Sequence, residues 1–133
     1  MRLSAHLDTD TDTRLVCTCG CGMGTRLEHW RPELLELFEA VRAHLGQPVY
    51  IVSGWRCPRH NGLVAVSEHS QHAIGAALDC QCPKMNFADF ADATEFTART
   101  SSKGQAGVGT YPHHQFVHID LGLGKNPGRR WTP

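Results

Sequence analysis

A single carboxylate inside an apolar run most constrains how this chain can fold. Asp79 lies near the end of the stretch SEHSQHAIGAALDC, residues 67–80, among apolar neighbours. An ionised carboxylate in an apolar interior is costly unless it is paired, hydrogen-bonded or bound to a metal. His72 precedes it by seven positions, and side chains at that separation on one regular strand point to opposite faces. The two can therefore meet only if the chain bends between them, and Gly75 offers the place.

The composition favours metal chemistry over nucleic-acid binding. Nine His and six Cys among 133 residues are the side chains that supply most nitrogen and sulfur ligands of zinc. Thirteen basic residues balance thirteen acidic ones, so no net positive field attracts nucleic acid or an anionic membrane. A metal site is therefore the first hypothesis.

The length predicts a single domain over residues 1–133, with irregular ends at about 1–16 and 123–133. The N-terminus carries no apolar leader, and no stretch is long enough to span a bilayer. We therefore expect a monomer made in the cytoplasm without a signal peptide, with no membrane partner and with reduced thiols.

Hydrophobic periodicity predicts an α+β fold, with a small antiparallel sheet flanked by a few helices. Apolar residues at helical spacing predict a helix over Pro32–Leu45 that ends at Gly46. Glycines between 104 and 109 predict a loop. The other predicted elements are a short helix over 58–66, a helix of about three turns after Asn86, and strands over 48–53, 75–80 and 116–121.

Three segments together resemble the zinc D-alanyl-D-alanine carboxypeptidase family. They are SGWRCPRHN at 53–61, SQHAIGAALD at 70–79 and GVGTYPHHQFVHIDLG at 107–122. This family includes the D,D-dipeptidases of vancomycin resistance, phage L-alanyl-D-glutamate endopeptidases and, more remotely, the Hedgehog signalling domain. The resemblance covers roughly residues 15–122 and implies a Hedgehog-like fold. It also implies that His72, Asp79 and His118 bind one catalytic zinc ion, a set of three ligands that leaves the fourth position open to water.

The same resemblance implies further contacts around the ion. Arg56 matches the family arginine that contacts the substrate carboxylate or the developing oxyanion. Ser70 and Gln71 either hydrogen-bond the substrate or fix the first ligand imidazole, and Tyr111 is a further expected substrate contact. Asp120 shares a strand face with the last ligand and either orients its imidazole or has a structural role.

The general base is expected to be a histidine. In the dipeptidase and lysin branches an acidic residue lies three positions before the last ligand, whereas this chain has Gln115, which cannot take a proton. The carboxypeptidase branch implies His113 or His114 instead, with His113 preferred. If neither serves, the domain binds peptides without cleaving them.

The cysteines allow several states. They are Cys17, Cys19, Cys21, Cys57, Cys80 and Cys82. Thiols that are free or loosely paired come first, disulfides in an oxidising setting second, and a second, structural metal third. The metal comes last because zinc sites with four cysteines usually draw them from pairs two to four residues apart.

The sequence therefore predicts a zinc metallopeptidase that cleaves the stem peptides of bacterial peptidoglycan. Both the D-alanyl-D-alanine carboxypeptidase and the L-alanyl-D-glutamate endopeptidase reactions fit. The small size and missing leader favour an endolysin of a phage or prophage, acting on the cell wall. The alternatives are a non-catalytic peptidoglycan-binding module that keeps the fold and metal, and a Cys/His zinc module that binds nucleic acid, which the neutral charge disfavours.

Overall fold

The computed structural model describes residues 1–57, 70–124 and 126–133. Within these ranges the chain forms two α-helices, a two-stranded sheet and a five-stranded sheet. The predicted α+β fold class is confirmed. The predicted helix over 58–66 and the end of the first motif, residues 58–61, lie outside the described residues.

Both helices begin and end where local sequence signals place them. Helix α1, Pro32–Leu45, has proline in its first turn and ends at Gly46, whose φ of 63° is left-handed. Helix α2, Phe87–Ser101, begins at Asn86, whose side chain accepts a hydrogen bond from the Asp89 amide at 2.8 Å. At 15 residues it is one turn longer than predicted. Neither helix has the length and apolar character needed to cross a bilayer, and the same holds for every helix in the described ranges.

The main sheet consists of five strands, which are β3 Tyr50–Ser53, β4 Ala77–Gln81, β5 Gly107–Tyr111, β6 Phe116–Asp120 and β7 Arg130–Trp131. Their order in the sheet is β3-β4-β6-β5-β7. All neighbouring strands are antiparallel except β5 and β7, which are parallel. The predicted strands over 48–53, 75–80 and 116–121 are confirmed with small shifts of their ends.

Both termini, expected to be mostly irregular, contain short strands. Strand β1, Arg2–Ser4, pairs with β2, Leu7–Asp8, and β7 adds a strand from the turn-rich tail. The N-terminal segment is rich in Asp and Thr, but it also contains Leu3 and Leu7, which are 7% and 1% exposed. Burial of these two leucines holds the first hairpin against the core.

The predicted loop around residues 104–109 is wrong in its second half, because β5 begins at Gly107. Gly107 and Gly109 are turn signals in the sequence, but in the sheet they leave room on one strand face. A side chain at Gly107 would collide with the Asp120 carboxylate, and one at Gly109 with the Trp131 indole.

The two faces of the sheet have different roles. Leu78 of β4, with Val117 and Ile119 of β6, belongs to one apolar core with Phe38 of α1 and Phe90 of α2. Since side chains alternate along a strand, the residues between them point to the opposite face. That face carries the polar side chains described next.

Candidate metal centre

Two imidazoles and one carboxylate converge on the polar face of the sheet. Nδ1 of His118 lies 2.9 Å from Oδ1 of Asp79 and 3.3 Å from Nε2 of His72. The remaining distance, from Nε2 of His72 to Oδ1 of Asp79, is 3.3 Å. All three side chains are buried. The fold thus brings together the three residues expected to share a ligand, hereafter the His-Asp-His cluster.

Strand pairing and one sharp turn create this convergence. Asp79 and His118 are directly opposite each other on β4 and β6, so their side chains lie on the same face. His72 lies on the short 3-10 helix Gln71–Ile74, which ends at Gly75 with a left-handed φ of 70°. A side chain at Gly75 would collide with a neighbouring backbone carbonyl. The bend expected there is confirmed.

In each imidazole, the outer nitrogen, which is the one that points away from Asp79, donates a hydrogen bond to a fixed acceptor, and the inner nitrogen faces Asp79. Nδ1 of His72 donates to the Gly54 carbonyl oxygen at 2.7 Å, and Nε2 of His118 donates to Oδ2 of Asp120 at 2.8 Å. Since these oxygens only accept, the lone pairs of the inner nitrogens face Asp79. Three electron-rich atoms in such proximity repel one another unless a proton or a cation lies between them. The cluster is therefore built to bind a positive charge.

Asp120 is itself held in place. Its Oδ1 accepts hydrogen bonds from the Gly122 amide at 2.7 Å and the Gly107 amide at 3.2 Å. Of the two roles that the sequence leaves open, the contacts match the orienting one. Asp120 fixes the ring of His118 while leaving Nδ1 available.

Burial and neighbouring charges act in opposite directions on the titration of the cluster. Burial would lower the pKa of His118, but hydrogen bonds with Asp120 and Asp79 outweigh it and raise the pKa to about 9. Burial lowers the pKa of His72 despite the Asp79 charge. Burial would raise the pKa of Asp79, but the two histidines hold it below its usual value. In the metal-free protein, a proton on His118 therefore supplies the positive charge.

We expect the His118 imidazole of metal-free protein to titrate near pH 9, since its pKa is raised to about that value, and zinc to abolish the titration. Below that pH the ion must displace the proton, so zinc affinity falls as the pH falls. NMR of the imidazole C–H resonances, assigned with His118→Ala, measures both effects. A His118 pKa near the ordinary value of about 6.5 in metal-free protein would contradict this assignment.

Replacing Asp120 with asparagine should weaken zinc binding about 10- to 100-fold, because the carboxylate that orients His118 is lost. The substitution should also lower the His118 pKa in metal-free protein, which a merely structural role would not require. Competition with a chromogenic chelator measures the affinity. Unchanged affinity together with an unchanged pKa would remove Asp120 from the centre.

A pocket surrounds the cluster and contains every predicted site residue. The remaining predicted residues that line it are Arg56, Ser70, Gln71, Tyr111, His113 and His114. The Nε atom of Arg56 is buried, and no described residue accepts a hydrogen bond from it. Arg56 is also tied to the cluster by its amide, which donates to the His72 carbonyl oxygen at 3.1 Å.

The side chains of Ser70 and Gln71 both accept hydrogen bonds from backbone amides. Oγ of Ser70 accepts from the His72 amide at 3.2 Å, and Oε1 of Gln71 accepts from the Leu123 amide at 3.1 Å. Both contacts hold the turn that carries His72. These contacts involve the backbone and not the His72 ring.

His113 and His114 lie exposed on the turn between β5 and β6. The carbonyl oxygen of His114 accepts a hydrogen bond from the Gln81 side chain at 3.0 Å. The His114 ring stacks loosely on the Phe116 ring, with centroids 6.2 Å apart. Gln115 has a left-handed φ of 56°, and its amide group donates to Pro112 within the same turn.

Sequence reasoning missed the contribution of β7 to the pocket. Arg129 and Trp131 both line it. The Trp131 ring lies 5.0 Å from the His118 ring, and its Nε1 donates to the Tyr111 hydroxyl at 2.8 Å. The guanidinium of Arg129 lies 4.8 Å from the Trp131 ring centre. The sequence signal for this contact is the alternation of Gly107 and Gly109 on β5, because glycines leave space beside the strand that an aromatic ring can fill.

The family described as Peptidase M15 matches residues 10–120, which is most of the 133-residue chain. The match includes Arg56 and the whole His-Asp-His cluster and ends before β7. A search of curated proteins found no match.

Proposed function

Since the chain belongs to the peptidase M15 family, a family of zinc metallopeptidases, we propose that it cleaves the stem peptides of bacterial peptidoglycan as a D-alanyl-D-alanine carboxypeptidase. The observation that carries the proposal is the convergence of two oriented imidazoles and a carboxylate in one pocket with an arginine whose Nε atom is buried. The donor set fits the metal that the family uses.

His72, Asp79 and His118 would hold the zinc ion. Two imidazoles and one carboxylate are ligands found in catalytic zinc sites, which keep one position for water or substrate. When bound there, zinc supplies an activated water near neutral pH and polarises the scissile carbonyl. The fixed outer nitrogens of His72 and His118 keep the ligand lone pairs directed at one point without further rearrangement.

Arg56 would bind the anionic part of the substrate. Its Nε–H is buried without an acceptor among the described residues, and a buried donor without a partner is costly. A carboxylate or an oxyanion satisfies that donor with a charge-assisted hydrogen bond. The terminal carboxylate of a stem peptide is such a group.

His113 would transfer the proton. Gln115, which occupies the position of the acidic base in other branches, cannot accept a proton and donates its amide hydrogen bond to Pro112. The ring of His114 is stacked on Phe116, which favours His113 for the role. An imidazole can accept a proton from water and return it to the leaving amine.

The preference for the carboxypeptidase reaction follows from the same turn. A histidine just before the last ligand is the pattern of the carboxypeptidase branch, and Gln115 lacks the chemistry of the endopeptidase branch. The proposed substrate is therefore a pentapeptide stem, and the proposed product is free D-alanine.

The test is digestion of purified peptidoglycan and of a synthetic pentapeptide stem by zinc-loaded protein, followed by mass spectrometry. We expect release of free D-alanine that stops with a chelator and returns with zinc. Cleavage after L-alanine instead would assign the endopeptidase reaction. Binding without any product from zinc-loaded protein would indicate the non-catalytic module and overturn the proposal.

We expect His113→Ala to lower kcat about 10²- to 10⁴-fold, the range for loss of a general base. His114→Ala is the matched control and should leave kcat close to that of the wild type. Equal, small effects of both substitutions would exclude the histidine mechanism while leaving the assignment of the zinc site intact.

A further inference from the structure

Four cysteine sulfurs form a compact group outside the pocket. They belong to Cys17, Cys19, Cys21 and Cys57, and one ligand atom of each lies within 4.8 Å of the others. Sγ of Cys19 is 3.4 Å from Sγ of Cys17 and 3.4 Å from Sγ of Cys57. Folding brings Cys57 to a segment that lies far from it in sequence. This four-cysteine group is not apparent from sequence spacing.

The sulfur spacing matches a shared metal ion and not a disulfide. A disulfide requires sulfurs about 2.05 Å apart. Zinc–sulfur bonds of about 2.3 Å in a tetrahedral site place the sulfurs about 3.8 Å from one another. The two sulfur–sulfur distances of 3.4 Å and the upper limit of 4.8 Å for all four sulfurs are compatible with that value.

The backbone of residues 17–24 explains how alternate cysteines can gather. On an extended strand, residues two apart are separated by about 6.6 Å, which is too far for a common ion. Gly20 and Gly22, each following a cysteine, have left-handed φ values of 84° and 85°. These turns fold the segment back on itself, and the Cys17 amide closes it by donating to the Met23 carbonyl oxygen at 2.9 Å.

We propose that the four-cysteine group binds one structural zinc ion, separate from the His-Asp-His cluster. Four thiolates with no water position make a closed, non-catalytic site. The amide of Cys57 donates to Sγ of Cys17 at 3.3 Å, the kind of outer hydrogen bond that supports a thiolate ligand. Binding exchanges thiol protons for the ion, so no oxidant is required.

The ion would stabilise the segment that lines one side of the pocket. Backbone hydrogen bonds already join the segment before Cys57 to the N-terminal loop, from Gly54 to Arg14 and from Trp55 to Leu15, both at 2.9 Å. The same segment supplies the Gly54 carbonyl that orients His72 and the side chain of Arg56. A metal that joins Cys57 to residues 17–21 would therefore fix these groups relative to the sheet.

Metal analysis of protein purified under reducing conditions tests the proposal. We expect two zinc ions per wild-type chain, one for each group. Cys19→Ser should lose one ion while keeping the ion of the cluster, and Asp79→Ala should lose the other. Cys82→Ala, which removes a buried cysteine outside the group, is the matched control and should retain both.

Cobalt substitution gives a readout that does not depend on a cysteine variant folding. Cobalt-loaded Asp79→Ala protein should show the thiolate-to-cobalt charge-transfer bands of a tetrahedral sulfur site. Absence of these bands, a single zinc ion per wild-type chain that Asp79→Ala loses, or thiols that react only after reduction would overturn the proposal. None of these results would contradict the proposed peptidase activity. That activity is tested by release of D-alanine and depends on the ion at the His-Asp-His cluster.

Discussion

Replacing Asp79 with alanine should remove zinc from the pocket and lower kcat/KM at least about 10³-fold. The carboxylate is the only anionic member of the cluster and contacts both imidazoles, at 2.9 Å and 3.3 Å. Without it, two neutral ligands remain for a divalent ion. A catalytic metal contributes several kcal/mol to transition-state stabilisation, and each 1.36 kcal/mol corresponds to roughly tenfold in rate.

Metal content and the rate of D-alanine release, measured on the same preparation, check this prediction. Asp92→Ala removes an exposed carboxylate from α2 and should change neither quantity. Full zinc occupancy of the pocket in Asp79→Ala, judged after the contribution of the four-cysteine group is subtracted, would show that Asp79 is not a ligand. Full activity without that zinc would exclude the metallopeptidase mechanism.

Replacing Arg56 with alanine should lower kcat/KM about 10²- to 10³-fold, the range seen when one donor to a developing oxyanion is removed. The zinc content of the pocket should stay unchanged, because Arg56 contacts the cluster through its backbone amide. Arg56→Lys keeps the charge but not the planar fork of donors, so it should restore only part of the activity.

Steady-state kinetics on the pentapeptide, beside zinc analysis, separates the possible roles of Arg56. The control is Arg99→Ala, which removes an exposed arginine paired with Glu95 on α2 and should have little effect. If Arg56→Ala loses zinc, the residue positions the centre and does not bind substrate. If it retains full activity and zinc, the Arg56 guanidinium has no catalytic role.

The local elements of the fold could be predicted because their signals are short-range. Helix α1 follows from apolar spacing with proline at its start and Gly46 at its end. The three predicted strands follow from short β-branched or apolar runs. The bend at Gly75 follows from the need to bring His72 and Asp79 together. Each inference uses residues within one segment, where propensity and periodicity act directly.

The missed parts of the structure depend on contacts between distant segments. Strand β5 is rich in glycine because Asp120 and Trp131 fill the space beside it, and neither neighbour is apparent from the local sequence. Trp131 reaches the pocket because β7 pairs with β5. Cys57 joins Cys17, Cys19 and Cys21 only when the chain folds. Propensity cannot report such packing, since tertiary contacts override it.

The direct pairing of Asp79 with His118 makes the centre sensitive to strand register. A slip of one residue between β4 and β6 would turn one of the two side chains toward the helices, because alternate residues face opposite sides. With the proposed set of ligands, only the correctly aligned sheet could bind the ion, and binding would stabilise that state alone. A metal bound there would thus favour the correct register of β4 and β6, and its removal would reduce the free-energy difference between the correct and the slipped register.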